Sequence, residues 1–130
     1  MDRVPVAITP YLRENELACA DAHRVAEELH LSPGQLARAV SDQTSVRFNR
    51  CQLGLFGYGP KAEGLSKIVL PARHVPAEIR AEIEAAAVDG GIACAKVWEI
   101  AERHGYPRLG LGNIVEAMSL KVRPCQLGCF

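Results

Sequence analysis

Along this chain the apolar positions follow two periods, and the breaks between them fall at glycine and proline. Leu17, Ala18, Ala22, Val25, Ala26 and Leu29 recur at helical spacing, with Asp21, Arg24, Glu27 and Glu28 on the other face, and predict a helix over 17–31. Ser32, Pro33, Gly34 and Gln35 follow as a capping box: Ser32 accepts from the Gln35 amide, the Gln35 side chain reaches back, and Pro33 takes the first helical position. The helix they open runs over 33–43, with Leu36, Ala39 and Val40 inward. From 44 to 52 the period changes to two, as in a half-buried strand, with Val46, Phe48 and Arg50 on one face and Arg47 and Asn49 on the other. Gly54, Gly57, Gly59, Pro60 and Gly64 mark a loop, and 67–70 reads as a second strand ended by Pro71; together these predict a hairpin with a glycine-rich tip. Near the start, 4–9 alternates weakly and reads as a short strand, and Thr9-Pro10 as the cap and first turn of a short helix.

The second half runs through a similar series. Ile79 and Ile83 stand at i, i+4 in an alanine- and glutamate-rich stretch that predicts a helix over 77–88, stopped at Asp89-Gly90-Gly91. Val97, Ile100 and Ala101 mark the buried side of a helix over 92–104, Gly105 ends it, and Pro107 opens the last helix, striped by Leu111, Ile114, Val115 and Met118. Leu120, Val122 and Cys125 close the chain in an extended segment. The likeness extends to spelling. Cys51-Gln52-Leu53-Gly54-Leu55-Phe56 returns as Cys125-Gln126-Leu127-Gly128-Cys129-Phe130. At one fixed step Ala18-Cys19-Ala20 falls on Ala93-Cys94-Ala95, Ala26-Glu27 on Ala101-Glu102, Leu36 on Leu111 and Val40 on Val115. The pattern reads as a unit of about half the chain, present twice.

The small, apolar and turn positions of 22–41, namely Ala26, Leu29, Leu31, Leu36 and Ala39, are spaced as in the helix-turn-helix superfamily, and the second half resembles it through Ala101, Gly105, Leu111 and Ile114. His30 stands where that turn usually has glycine. A third helix before the motif and a strand pair after it resemble a winged helix. The resemblance implies a mainly α fold with short β-strands, made of tandem duplicated helix-turn-helix units packed as one compact domain. The expected divisions are a first repeat at 1–60, a hairpin tip, strand and linker at 61–75, and a second repeat at 76–130.

What such a unit would bind depends on its charges. Fifteen basic and fifteen acidic side chains cancel, so the whole molecule has no field drawing it to nucleic acid or an acidic membrane. The stretch 38–73 is basic, however, and a recognition helix reads bases with exposed polar side chains. In the first unit that face carries Ser32, Gln35, Arg38 and Ser41, and the wing would add Arg47, Arg50, Lys61 and Lys67 as phosphate contacts. The same face of the second unit carries Arg108, Gly112, Asn113 and Glu116, a poor reader of DNA, which points to a structural or dimer-forming role.

Five cysteines, an odd number without a CxxC, argue against a secreted disulfide framework. Cys19, Cys94, Cys51 and Cys125 pack readily as core residues. If the two Cys-Gln-Leu-Gly segments meet across a twofold, Cys51, Cys125 and Cys129 converge and could hold zinc or an iron–sulfur cluster or pair oxidatively, with His74, His104 or a second chain supplying a fourth ligand. No nucleophile elbow, phosphate loop or convergent carboxylate pair is present, so no enzyme activity is expected. No basic-then-apolar leader and no long apolar run occur in the sequence given, so a cytoplasmic location is expected. The leading expectation is a transcription-regulator-like protein that binds double-stranded DNA. The alternatives are a protein-interaction module or homodimer with an apolar patch near Leu55, Phe56 and Tyr58, and a cysteine-based metal or redox sensor.

Overall fold

The computed structural model describes residues 3–55, 58 and 67–129 of the chain. It is mainly helical, with short strands. The first half runs α1 (Val4–Ile8), a 3-10 turn (Thr9–Tyr11), β1 (Glu16–Ala18), α2 (Cys19–Glu28), α3 (Pro33–Gln43) and β2 (Arg47–Asn49). The second runs α4 (Ala77–Ala86), β3 (Gly91–Ile92), α5 (Cys94–Arg103), α6 (Arg108–Ala117) and β4 (Lys121–Val122). No described helix is long and apolar enough to cross a membrane.

The two halves use the same local devices at matching positions. Val4 and Ile8 are buried on one face of α1, as Ile79 and Ile83 are on α4. A two-residue turn then leads into each first strand. Glu14 and Asn15 hold φ of 52° and 62°, Asp89 and Gly90 hold 49° and 76°, and paired backbone bonds close Arg13 on Glu16 and Val88 on Gly91. Ala18 and Ala93 stay extended before α2 and α5. Each of those helices ends alike: the Leu31 amide donates to Ala26 O and the Tyr106 amide to Ala101 O, both at 2.8 Å. The residue that turns the corner is left-handed in both, His30 at φ 58° and Gly105 at φ 62°. His30 thus performs the glycine's role at a steric cost that Gly105 avoids. α3 opens on the expected capping box, with Gln35 N donating to Ser32 Oγ at 3.1 Å and Ser32 N to Gln35 Oε1 at 2.9 Å.

In each half the two strands pair in parallel, Leu17 opposite Phe48 and Ile92 opposite Val122. Parallel partners need a crossover, and here a helix pair supplies it. Two apolar cores form. Val4, Ile8, Leu17, Val25, Leu36 and Val40 belong to the first, and Ile79, Ile83, Ile92, Val97, Ile100 and Leu111 to the second. Each core takes side chains from the opposite half: Cys51 and Leu53 lie in the second core, and Leu127 lies in the first with Cys125 against it. Trp98 packs on both.

Three sequence expectations need correction. The stretch 4–9 is helical rather than extended, because a helix buries Val4 and Ile8 together and leaves Val6 76% exposed. The helices expected from 17 and 92 begin later, since a strand precedes each. The hairpin expected from 44–70 is not formed among the described residues. β2 pairs with β1, and Lys67–Leu70 is no strand: the Ile68 and Val69 amides both donate to Gly54 O, and the Leu70 amide to Asn113 Oδ1. Lys61 and Phe56 lie outside the described residues, as does Phe130, whose burial the repeated hexad suggested.

The left-handed turn gives a direct test. His30→Gly should stabilise the fold by about 1 kcal/mol, raising the thermal midpoint by roughly 3–5 °C. Gly105→Ala should lower it by a similar amount, both read by thermal unfolding followed by circular dichroism.

Candidate functional site

The cysteines gather where the halves exchange their tails. Cys19 and Cys94 are the first residues of α2 and α5, and Cys51 and Cys125 begin the two Cys-Gln-Leu-Gly turns. The turns close alike, Gly54 N on Cys51 O at 2.9 Å and Gly128 N on Cys125 O at 3.0 Å, with left-handed glycines at φ 79° and 76°. The glutamine of each turn reaches its own half's helix start: Gln52 Nε2 lies 4.0 Å from Cys19 Sγ and Gln126 Nε2 3.8 Å from Cys94 Sγ. The sequence singled out Cys51, Cys125 and Cys129, and the structure places them near enough for their charges to act on one another. It adds Cys19 and Cys94, whose matched places in the repeat were the available signal.

The five thiols are not chemically equal. A helix N-terminus favours a thiolate, but burial outweighs it at Cys19 and Cys94, pushing them up to about 12 and about 11 against the opposing Gln52 and Gln126 donors. Burial also raises Cys51, although the amides of Leu55, Leu53 and Gly54 point at its sulfur. Cys125 behaves in the opposite way. The side chain and amide of Cys129, with the amides of Leu127 and Gly128, outweigh burial and hold the Cys125 thiol below its ordinary value. The same pairing pushes Cys129 above its ordinary value. The two hexads differ in one letter, Leu55 against Cys129, and that letter sets a second thiol beside Cys125 where Cys51 has a leucine.

Beside the thiols, the matched positions 23 and 98 meet across the seam. The His23 and Trp98 rings lie 4.3 Å apart, tilted by 51°, and the Arg108 guanidinium sits 3.7 Å over the indole. Arg108 also donates to Gln52 Oε1 at 2.6 Å, so it is committed to the seam rather than free to contact DNA. Burial, reinforced by Arg108, lowers His23 to about 4.

The proposed DNA contacts are dispersed. Ser32 and Gln35 are exposed but tied to each other in the capping box. Arg38 and Ser41 are exposed on α3, flanking the 125–129 turn, and Arg47 and Arg50 are exposed in and after β2. Arg50 lines a hollow with Glu14, Glu16 and Asp21. Lys67 pairs with Glu116 at 3.1 Å, which occupies it. The corresponding face of α6 is covered, with Leu53 O against Gly112 and the 67–72 segment bonded to Asn113. The apolar patch expected near Leu55 and Tyr58 is not exposed: Leu55 packs on the second core, and Tyr58, half-buried, donates its hydroxyl to Cys51 O. Exposed large apolar side chains among the described residues are Val6, Ile68, Leu70, Val88 and Leu109.

Among the described residues no group of three or more His, Cys, Asp or Glu side chains is arranged to hold a metal ion. His104 and Arg103 pair with Glu82, away from the thiols, and lower its carboxyl. No family model, no curated protein and no solved structure matches the chain.

The seam histidine links folding to pH. The unfolded chain binds a proton at His23 near 6.5 and the native chain only near 4, so its contribution to stability is intact above 6.5 and declines as pH falls toward 4. Urea unfolding at pH 7 and pH 4.5 should show this loss in the wild type, and His23→Phe should reduce it.

Proposed function

We propose that the protein is a thiol-based redox switch carried on two copies of a helix-turn-helix-like unit. The observation that carries this reading is the Cys125–Cys129 contact at the end of one tail and its absence, through Leu55, from the other. The chemistry needs a small oxidant such as hydrogen peroxide. The Cys125 thiolate attacks one peroxide oxygen, the O–O bond breaks, hydroxide leaves and a sulfenic acid forms. The Cys129 sulfur then attacks the sulfenic sulfur and water leaves, closing a disulfide, with two thiols oxidised and one peroxide reduced. Cys129 is exposed, which gives the oxidant and a reductant access to the pair.

The tandem-unit part of the reading is supported by the shared element order, the matched left-handed positions and the recurring hexad. In this view Cys19, Cys51 and Cys94 are chemically silent, and the added Cys129 makes Cys125 in the second tail reactive.

Alkylation rates measured against pH should show Cys125 titrating below the ordinary thiol value of 9.0 in the wild type, moving toward it in Cys129→Leu. Peroxide should give a Cys125–Cys129 disulfide by mass spectrometry in the wild type, and a trapped Cys125 sulfenic acid in Cys129→Ser. Indifference of Cys125 to the Cys129 substitutions would end this reading. Stoichiometric zinc or iron in protein purified without oxygen, lost in Cys51→Ser and Cys125→Ser, would replace it with the metal-sensor reading.

A second reading, DNA binding through the first unit, is favoured by Arg38, Arg47 and Arg50, which are exposed and form no ion pair among the described residues. Three such contacts predict weak association with random duplex that falls off as salt rises, with a log–log slope of about −3. Fluorescence anisotropy with labelled duplex at two salt concentrations measures it, and binding that ignores salt rules it out.

A further inference from the structure

The two halves match so closely that an unmatched place stands out. On α6, the face made by Leu109, Gly112 and Asn113 is overlaid by the chain's own Lys67–Leu70 stretch. A Cβ built on Gly54 would meet Leu109 Cδ1 at 2.5 Å and the Ile68 and Val69 side chains at 3.0 Å, and one on Gly112 would meet Val69 Cγ1 at 3.3 Å. Val69 is buried there. Backbone bonds fix the stretch, Ile68 N to Gly54 O at 2.8 Å and Leu70 N to Asn113 Oδ1 at 3.0 Å, and Lys67 pairs with Glu116.

Among the described residues the matching face of α3 is open. Gly34 stands where α6 has Leu109, and Gly128 where the first tail has Gly54; among the described residues a Cβ on either would meet nothing within 4 Å. Between them runs a groove of about 450 Å³, lined by Gly34, Ala37, Arg38, Ser41 and Phe48 on one side and the 125–129 turn on the other. Its charge is also changed. Arg38 replaces Asn113 and Ser41 replaces Glu116, so the acid that holds Lys67 in the filled groove is missing and a cation takes part instead.

We propose that this groove binds an extended segment of a partner protein, with two β-branched apolar residues in the places of Ile68 and Val69 and an acidic residue facing Arg38. The occupied twin is the template. An extended chain at that place makes main-chain bonds to the turn glycine and seats alternate side chains, the usual basis for recognising extended peptides. The Gly128 carbonyl corresponds to the Gly54 carbonyl that accepts both amides from Ile68 and Val69. The reversed charge at 38 and 41 separates a partner from the chain's own 67–72 stretch, which begins with lysine. This inference goes beyond the redox reading and does not depend on it.

The test uses the full, reduced protein and two fluorescent peptides, Glu-Ile-Val-Leu-Pro-Ala and Lys-Ile-Val-Leu-Pro-Ala, followed by anisotropy. The first should bind saturably and roughly fivefold tighter than the second. Arg38→Glu should reverse that order. Ser41→Trp, which projects a ring into the groove from an exposed position on α3, should abolish binding while leaving thermal stability unchanged. Failure of both peptides to bind, equal binding of the two, or binding that survives Ser41→Trp would overturn the proposal. So would displacement of the first peptide by duplex DNA at matched salt. Self-association of the protein lost in Ser41→Trp would assign the groove to a second copy and equally overturn it.

Discussion

The structure depends on a reciprocal exchange of tails. Leu53 leaves the first half to be fully buried in the second core, and Leu127 leaves the second half to be buried in the first. Burying one leucine side chain stabilises a fold by about 1.5–3 kcal/mol, and taking one out of a packed core costs about 2–5 kcal/mol once the cavity is counted. Those amounts compare with the whole margin by which a domain is stable. Neither core is complete without its counterpart, so the halves fold as one unit although their elements are laid out as two.

Within that frame, single differences set the two halves apart. Leu55 and Cys129 share a position, and only the second sets a thiol beside its neighbour. His23 and Trp98 share a position and face each other, and Arg108, where the first half has Pro33, reaches over Trp98 and down to Gln52. Gly34 and Leu109 share a position, and one leaves a groove that the other helps to fill. The backbone tolerates these differences because the conserved parts of the frame, the left-handed turns and the buried leucines, do not involve them.

Much of this was legible in the amino-acid order. The recurring hexad and the matched Cys19 and Cys94 marked out the corresponding positions before any coordinates. Ser32 and Gln35 announced the capping box that α3 has. His30, at odds with the glycine of its twin, still turns the chain left-handed. The misses have physical causes. Val4, Val6 and Ile8 satisfy a period of two and an i, i+4 pair equally well, and only the neighbouring α3 and α2 decide for the helix. β1 and β3 are three and two residues long, too short to show a period. Their partners lie beyond a helix pair, so strand pairing was assigned to the nearest extended stretch, 67–70, which instead lies over α6. Periodicity marks Leu53 and Leu127 as buried without telling which half buries them, and so the meeting of thiols was readable only as a condition. The uneven acidity of the thiols depends on the Cys129 side chain folding back beside Cys125, which spacing alone does not encode.

The chain's single tryptophan packs against both cores, wedged between an imidazole and a guanidinium at the seam. Its emission is therefore a built-in optical gauge of whether the two halves are docked. Any event that parts them, whether at the sulfurs or in the groove, changes the light from Trp98 without a dye attached.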